Sequence, residues 1–404
     1  MRRLALLLAL AAVLALPAGA WASLSSSLTR QMRVTGPYSS ALVVDASSGR
    51  TLFSWKSGTS RVLASNTKLF TTATALARFG LDGTFSTQVL SDSAINADGV
   101  LPGDLWLRGG GDPAFGTLAY VRKHYGAGAG AVEQLVDQLF QLGLTAVRGG
   151  IHGDESSFDS IRGVHDSGYY TSPWVGPLSA LTLNHGYDGN RFQSNPATYA
   201  TGVFRTTLKA DGITPGHAAA ASTAPADAAV LATVKSPPMS TLVRLTNKNS
   251  DNFFAEMLMK NIGRDASGVG TTSAGVREVR SFASSVGAKV SLIDGSGLDH
   301  GNRASPRDVV KLLLAERSRP EYSAWYASLP IAGVDGTIRD RMRSGPAKRN
   351  CRAKTGSLIG VSALSGYCTT RSGREVAFSF LMNGISTMYA RRVQDRMAQA
   401  IAAS

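Results

Sequence analysis

The chain has 404 residues, a formal net charge of +14 at pH 7 and 43% hydrophobic residues. That length is enough for two domains with a sizeable hydrophobic core. No basic run has aromatic residues interleaved with it, so the charge does not indicate a nucleic-acid-binding surface. The positive charge suits either simple solubility or contact with the anionic polymers of a cell envelope.

Residues 1–22 have the pattern of a secretory signal. Arg2 and Arg3 precede an apolar run over residues 4–16, and Ala-Trp-Ala at 20–22 is a cleavage motif. The apolar run is too short to span a membrane, and the alternative is a buried N-terminal helix. We therefore expect an exported chain, located in the periplasm, outside the cell or in the cell envelope, with at most peripheral membrane contact.

The region after the signal predicts a β-hairpin followed by a helix. Residues 41–45 and 50–55 are two strand-like runs joined by a short turn. A helix then begins near Ser65 and ends near Gly80. Its apolar positions have the spacing of one buried helix face and are Leu69, Phe70, Ala73, Leu76 and Ala77.

Ser65 and Lys68 form an S-x-x-K motif at the start of this helix. Residues three apart on a helix point the same way, so the hydroxyl and the amine can meet. A serine becomes a good nucleophile when a base takes its proton, and a lysine can be that base if burial or a nearby cation lowers its pKa. The alternative is an ordinary helix cap beside a surface lysine, so the motif alone is a weak signal.

Residues 88–235 have alternating strand and helix patterns, and they predict an inserted α+β domain with a linker. The predicted elements are a strand at 104–108, a helix over 131–143, a strand at 151–154, a helix over 197–210 and a linker over 218–229. The inward positions expected for the first of these helices are Val132, Leu135, Val136, Leu139 and Phe140.

Two more motifs follow the insertion. Ser250-Asp251-Asn252 lies in a predicted loop between helical patterns at 239–248 and 253–262, where side chains can be aimed into a cleft. The alternative is a cap for the second helix. Lys354-Thr355-Gly356 opens a strand-like run. S-x-x-K, S-D-N and K-T-G in this order are typical of penicillin-binding proteins and serine β-lactamases.

The C-terminal part predicts three strands, at 352–358, 362–369 and 375–382, and a last helix. That helix is expected to place Tyr389, Val393, Met397 and Ile401 on one face. With the two strands before Ser65, these strands would form one antiparallel five-stranded sheet. The predicted fold is therefore α/β (α+β), with a peptidase domain of residues 23–87 and 236–404 interrupted by the inserted domain.

Cys351 and Cys368 are the only two cysteines. They lie on consecutive predicted strands, nearly equidistant from a turn around residues 359–360, so a hairpin with that centre sets them opposite each other. An exported chain is exposed to oxidising conditions, which favour a disulfide. The alternative is a pair of buried free thiols.

Together these motifs resemble the class C low-molecular-mass penicillin-binding proteins, the D-alanyl-D-alanine carboxypeptidase/endopeptidases of peptidase family S13. The resemblance extends to the Asp-Gly-Ser-Gly-Leu run at 294–298 and to Leu-Pro-Ile-Ala-Gly-Val-Asp-Gly-Thr at 329–337. It also includes the long gap between Lys68 and Ser250. It implies a transpeptidase-like fold, shared with serine β-lactamases, in which the sheet has flanking helices and an all-helical subdomain.

The resemblance also implies a role for each motif. Ser65 would attack the D-Ala-D-Ala bond, Lys68 would act as general base, Ser250 would pass a proton to the leaving amine, and Asn252 would orient Lys68 and the substrate amide. Lys354 and Thr355 would hold the terminal carboxylate, and Gly356 would let the substrate lie along the strand. The N–H groups of Ser65 and Ser357 would form the oxyanion hole.

The expected substrates are peptidoglycan stem peptides, with β-lactam antibiotics as inhibitors. No metal or cofactor is implied, and the sequence contains neither the H-E-x-x-H motif of zinc peptidases nor a G-x-S-x-G elbow. Two alternatives remain open from the sequence: a serine β-lactamase or related esterase, and an envelope-binding protein without enzymatic activity.

Overall fold

The computed structural model describes residues 18–126 and 128–404. Its α-helices are α1 (Ala18–Arg33), α2 (Thr67–Phe79), α3 (Leu118–His124), α4 (Val132–Gln141), α5 (Pro196–Ala210), α6 (Met239–Asn249), α7 (Asn252–Ser267), α8 (Thr272–Ser285), α9 (Pro306–Glu316), α10 (Tyr322–Ser328) and α11 (Thr387–Ala403). Its strands are β1 (Ser39–Asp45), β2 (Thr51–Trp55), β3 (Arg61–Val62), β4 (Ser86–Ser91), β5 (Val100–Leu101), β6 (Leu105–Gly109), β7 (Ala146–Val147), β8 (Gly150–Asp154), β9 (His217–Ala218), β10 (Ala229–Lys235), β11 (Val290–Ser291), β12 (Arg303–Ala304), β13 (Cys351–Leu358), β14 (Val361–Thr369) and β15 (Glu375–Asn383).

Most of the expected signal, residues 1–17, lies outside the described residues. Helix α1 begins at Ala18 and continues through the expected cleavage motif at 20–22 to Arg33. Within the described part of the chain, no helix is both long and apolar enough to cross a bilayer.

The main sheet has five strands in the order β13-β14-β15-β1-β2, and every pairing is antiparallel. Its strands come from both ends of the chain, because β1 pairs with β15. Alternate side chains enter two cores, since successive residues of a strand point to opposite faces. One core lies against α1 and α11 and includes Leu28, Val43, Phe378, Val393 and Met397. The other lies against the central helices and includes Leu42, Val44, Phe70, Leu258 and Leu312.

Helix α2 lies in the second of these cores. Leu69, Phe70, Ala73 and Leu76 are buried, as the apolar spacing predicts, and Ala77 is partly buried. The helix ends at Gly80, whose backbone has φ +70°, a conformation that glycine adopts without steric cost. A short 3₁₀ turn over Ala64–Asn66 precedes the helix and places Ser65 at its entrance.

A second sheet, in the order β10-β4-β6-β8-β9, is built entirely from residues 86–235. Strands β10, β4 and β6 pair antiparallel, whereas β8 pairs parallel with both β6 and β9. Helices α4 and α5 share a separate core with it that includes Leu107, Leu135, Ile151 and Phe204. We propose that this unit is the inserted domain, beginning at Ser86 rather than at residue 88, because β4 starts there.

Two aromatic residues differ from the sequence expectation. Phe140 was expected to face inward but is 57% exposed, and Tyr389 is 40% exposed although Val393, Met397 and Ile401 are buried. Each step of four residues on a helix turns the side chain by about 40° beyond a full circle. Tyr389 is three such steps from Ile401 and is rotated by about 120°, and Phe140 similarly lies at the edge of its helix's buried face.

Candidate active site

The three motifs surround one cavity of about 1110 Å³ between the main sheet, the helices and the inserted unit. Ser65, Ser250, Asn252, Thr355 and Ser357 all line it. Lys68 and Lys354 are fully buried and reach the cavity through their contacts with Ser65 and Ser250. Residues as far apart in sequence as Ser65 and Ser357, 292 positions, therefore meet at one site.

Lys68 is held by three contacts. Its Nζ lies 3.0 Å from Ser65 Oγ, and it donates to Asn252 Oδ1 at 2.7 Å and to the Ser296 carbonyl oxygen at 2.7 Å. A neutral amine has two N–H groups and one lone pair. The two acceptors occupy both N–H groups, so the lone pair faces the Ser65 hydroxyl. This arrangement suits removal of the serine proton.

Burial lowers the pKa of Lys68 to about 8, while the nearby Glu256, Asp294 and Asp251 carboxylates oppose that shift. Burial also lowers the pKa of Lys354 well below its usual range, with a smaller contribution from Lys68. A substantial fraction of Lys68 is thus neutral slightly above neutral pH. Burial is the main cause of the lowered pKa of Lys68, which is the first of the two causes that the sequence analysis considered.

The S-D-N motif divides its roles between three consecutive residues. Asp251 caps α7 by accepting the Phe254 N–H at 2.9 Å, so the capping alternative applies to Asp251. Ser250 ends α6 in a left-handed conformation, φ +56°, and accepts from Lys354 Nζ at 2.7 Å. Asn252 uses its oxygen for Lys68 and donates its Nδ2 to the Trp174 carbonyl oxygen at 2.9 Å, which links it to the inserted unit.

The K-T-G strand β13 runs beside the Ser65 turn. The Asn66 side chain donates to the Lys354 carbonyl oxygen at 3.0 Å and fixes that approach. A Cβ on Gly356 would lie 2.6 Å from the Leu63 carbonyl oxygen, so glycine is needed for strand and turn to pack. This contact gives Gly356 a structural role within the protein, distinct from the expected role of making room for substrate. Ser357 Oγ accepts from Arg391 Nη2 at 3.0 Å.

Glu256 is a site residue that the motifs did not identify. It is fully buried on α7 and accepts from the Gly295 N–H at 3.0 Å and from the Ser296 N–H at 2.7 Å. The Ser296 carbonyl oxygen then faces Lys68. Burial, with the charge of Asp294, raises the pKa of Glu256 to about 7. The sequence signal was a single carboxylate inside the otherwise mostly apolar stretch 253–262.

Thr337 and the cysteine pair complete the surroundings of β13. Thr337, within the Leu-Pro-Ile-Ala-Gly-Val-Asp-Gly-Thr run, bonds the Thr355 hydroxyl at 2.8 Å and also lines the cavity. Cys351 and Cys368 face each other across β13 and β14 and are joined as a disulfide. That bond lies three residues before Lys354 on the same strand.

Comparison with known proteins identifies the family. The model of the D-Ala-D-Ala carboxypeptidase 3 (S13) family matches residues 21–194 and 189–404. The D-alanyl-D-alanine carboxypeptidase of Actinomadura sp. (strain R39) is 32% identical over 91% of this chain and 81% of its own length. The chain belongs to peptidase family S13. It is thus an enzyme of the serine-type D-Ala-D-Ala carboxypeptidase class.

Other relatives agree with this family. A carboxypeptidase of Mycolicibacterium smegmatis is 29% identical over 84% of this chain and 75% of its own length. Penicillin-binding protein 4 of Haemophilus influenzae has a similar fold, with a TM-score of 0.78, 23% identity and coverage of 92% of this chain and 97% of its own. A predatory endopeptidase of Bdellovibrio bacteriovorus aligns with a TM-score of 0.59 at 19% identity over 90% of this chain and 92% of its own. The family resemblance and the fold class expected from the sequence are confirmed.

Proposed function

We propose that this carboxypeptidase cleaves the D-Ala-D-Ala bond of peptidoglycan stem peptides through an acyl-enzyme on Ser65. The observation that carries the proposal is the geometry at Lys68, whose two fixed acceptors leave its lone pair directed at Ser65 Oγ, 3.0 Å away. The pKa of about 8 makes Lys68 an effective base near physiological pH.

Acylation begins when Ser65 Oγ attacks the carbonyl carbon of the penultimate D-Ala and its proton passes to Lys68 Nζ. The N–H groups of Ser65 and Ser357 are proposed to stabilise the oxyanion. Ser250, held by Lys354 at 2.7 Å, then gives its proton to the departing amine of D-alanine and takes the proton from Lys68, so both residues are uncharged at the end of acylation. Lys354 and Thr355 are proposed to bind the terminal carboxylate, because charge-assisted hydrogen bonds recognise that group well.

Deacylation returns the enzyme to its starting state. Water attacks the ester carbonyl, its proton goes to a base in the cavity, and Ser65 leaves as the hydroxyl. Neutral Lys68, whose Nζ contacts Ser65 Oγ, can be this base, so it can serve in both half-reactions. The net reaction is hydrolysis of one peptide bond, and every proton removed is returned.

Export to the periplasm or cell envelope is also part of the proposal. It is supported by the charged and apolar pattern of residues 1–22 and by the disulfide between Cys351 and Cys368. β-Lactams are proposed to acylate Ser65, since they present a reactive carbonyl beside a carboxylate in the manner of the substrate. Penicillin-binding protein 4 of Haemophilus influenzae has been solved in complex with a β-lactam.

The cavity of about 1110 Å³ has room for more than a single departing D-alanine, so we include endopeptidase cleavage of cross-linked peptides in the proposal. The test is incubation of the protein with purified muropeptides, both pentapeptide monomers and cross-linked dimers, with the products measured by mass. We expect release of one D-Ala from monomers and conversion of dimers to monomers. Unchanged monomers would contradict the carboxypeptidase proposal, and unchanged dimers would remove the endopeptidase part.

A further inference from the structure

A second depression lies next to the catalytic cavity, in the inserted unit. Its volume is about 810 Å³, and residues of the stretches 160–162 and 168–173 line it with Phe192 and Ser194. We call it the tyrosine depression. Pro173 belongs to its lining, while the next residue, Trp174, lines the catalytic cavity. The two hollows therefore adjoin each other along one short piece of chain.

Three large aromatic side chains beside the tyrosine depression face solvent. Tyr169 is 50% exposed, Tyr170 is 79% exposed and Trp174 is 73% exposed, all within six residues. Aromatic residues normally contribute stability by burial, and exposed groups of them mark binding surfaces. Neighbouring hydrophobic residues of the same stretch are buried, for example Val164 and Val175. Ile161, which also lines the depression, is 40% exposed, so the exposed apolar surface of this stretch lies beside the two hollows.

The backbone of this stretch is held in place by several contacts. Tyr169 has φ +68°, an unusual conformation for a tyrosine, and its N–H and carbonyl oxygen bond to Val164 and Gly163 at 2.9 and 3.0 Å. His165 Nδ1 lies 2.5 Å from Oδ2 of Asp299, which is in the loop between β11 and β12 outside the inserted unit. On the other side, the Asn252 side chain holds the Trp174 carbonyl. The rings are thus presented on a fixed support.

The chemistry of the lining indicates an uncharged, hydroxylated ligand. Of the described residues that line the tyrosine depression, Arg162 alone carries a charge, and its guanidinium already bonds Glu155 Oε1 at 2.5 Å and the Leu178 carbonyl at 3.2 Å. The other polar lining groups are the hydroxyls of Ser160, Thr171, Ser172, Ser194 and the tyrosines. An anionic membrane or a carboxylate-rich peptide would need free cations here.

Sugar rings fit these requirements. Their C–H faces are attracted to the electron-rich faces of aromatic rings, and their hydroxyls pair with serine and threonine hydroxyls. We propose that the tyrosine depression binds sugar residues of the glycan strand to which the stem peptide is attached. This inference rests on the proposed function, because it assigns the remainder of the same substrate to the hollow next to the catalytic cavity.

The test compares two substrates: a free stem pentapeptide, and the same pentapeptide attached to a glycan oligosaccharide. We expect the wild type to have a higher kcat/KM for D-Ala release from the glycan-linked substrate. Tyr170→Ala should reduce kcat/KM for that substrate about three- to tenfold and leave the free peptide unchanged. Tyr170→Phe retains the ring and should remain close to the wild type. Phe140→Ala, which removes another exposed aromatic of the inserted unit, should change neither value.

Equal losses on both substrates in Tyr170→Ala would show that the depression contacts the peptide and would overturn the sugar assignment. The assignment would also fail if Tyr170→Ala left the glycan-linked substrate unaffected, or if Tyr170→Phe were as impaired as Tyr170→Ala. Failure of the proposed function gives a different result, because the wild type would then release D-Ala from neither substrate.

Discussion

Replacing Glu256 by glutamine should make Lys68 a poorer general base, although the two side chains do not share a hydrogen bond. The carboxylate accepts from the Gly295 and Ser296 N–H groups, and this turn directs the Ser296 carbonyl oxygen at Lys68, 2.7 Å away. Oε1 of Glu256 accepts from both N–H groups, and Oε2 accepts a second contact from the Gly295 N–H at 3.2 Å. In glutamine the NH₂ takes the place of Oε2 and faces the Gly295 N–H. The lost charge-assisted contact and the two facing N–H donors cost about 1–3 kcal/mol, which shifts the turn. Because misplacement by about 1 Å can cost about 10²-fold in rate, we expect kcat/KM at alkaline pH to fall about 10- to 100-fold.

The pH dependence of kcat/KM provides a second, independent test of the Glu256→Gln variant. The charge of Glu256 raises the pKa of Lys68, which burial otherwise lowers to about 8. Without that charge the pKa of Lys68 falls further, so the neutral base persists to lower pH. The acid limb of the kcat/KM profile should therefore move to lower pH. The effect should be clearest between about pH 7 and 8, since the pKa of Glu256 is itself about 7.

The assay is D-Ala release from a pentapeptide between about pH 5.5 and 9.5, measured on the wild type, on Glu256→Gln and on a control, Glu316→Gln. Glu316 is also buried, with a pKa raised by burial to about 7, but it lies on α9 with Arg319 and Glu321 as its charged neighbours. The Glu316→Gln control should have the acid limb of its kcat/KM profile at the same pH as the wild type. The reasoning is refuted if Glu256→Gln retains the wild-type kcat/KM and the wild-type position of the acid limb. It is also refuted if Glu316→Gln moves the acid limb by the same amount as Glu256→Gln.

Three further outcomes are expected. Lys354→Ala should weaken substrates that end in a carboxylate more than neutral esters, and equal losses would remove Lys354 from carboxylate binding. The penicilloyl group on Ser65 should persist for minutes or longer in a pulse-chase measurement, because Ala180 stands where the class A β-lactamase pattern has its glutamate base, a group worth about 10²–10⁴ in rate. Loss of label within seconds would instead favour a β-lactamase. The intact mass should rise by about 2 Da on reduction of the Cys351–Cys368 disulfide, which is worth about 3 kcal/mol, and an unchanged mass would contradict the bond.

Local patterns predicted much of the fold because they depend on neighbours along the chain. The three-residue spacing of Ser65 and Lys68 predicted their meeting, now 3.0 Å apart. Strand runs on either side of residues 359–360 predicted the hairpin that pairs β13 with β14. Helix α9 could also have been predicted, since Ser305 caps it and Pro306 stands at its first position, the usual signals for a helix start.

Features that depend on distant parts of the chain could not be predicted in this way. No spacing rule connects Glu256 to Ser296, because the two are 40 residues apart and meet only after α7 packs against the 294–298 turn. The surroundings of residues 180–184 also depend on distant contacts. Leu181 and Leu183 lie in the core of the inserted unit, and Asn184 accepts the Thr117 N–H at 2.9 Å.

The central claim is that Ser65 is the residue that carries the acyl group. The most direct measurement is to trap the protein with penicillin, digest it and locate the adduct by peptide mass spectrometry, with Ser65→Ala as the matched variant. We expect one adduct, on the peptide that contains Ser65 and assigned to that residue, and no adduct in Ser65→Ala. An adduct on any other residue, or labelling that persists in Ser65→Ala, would contradict the mechanism.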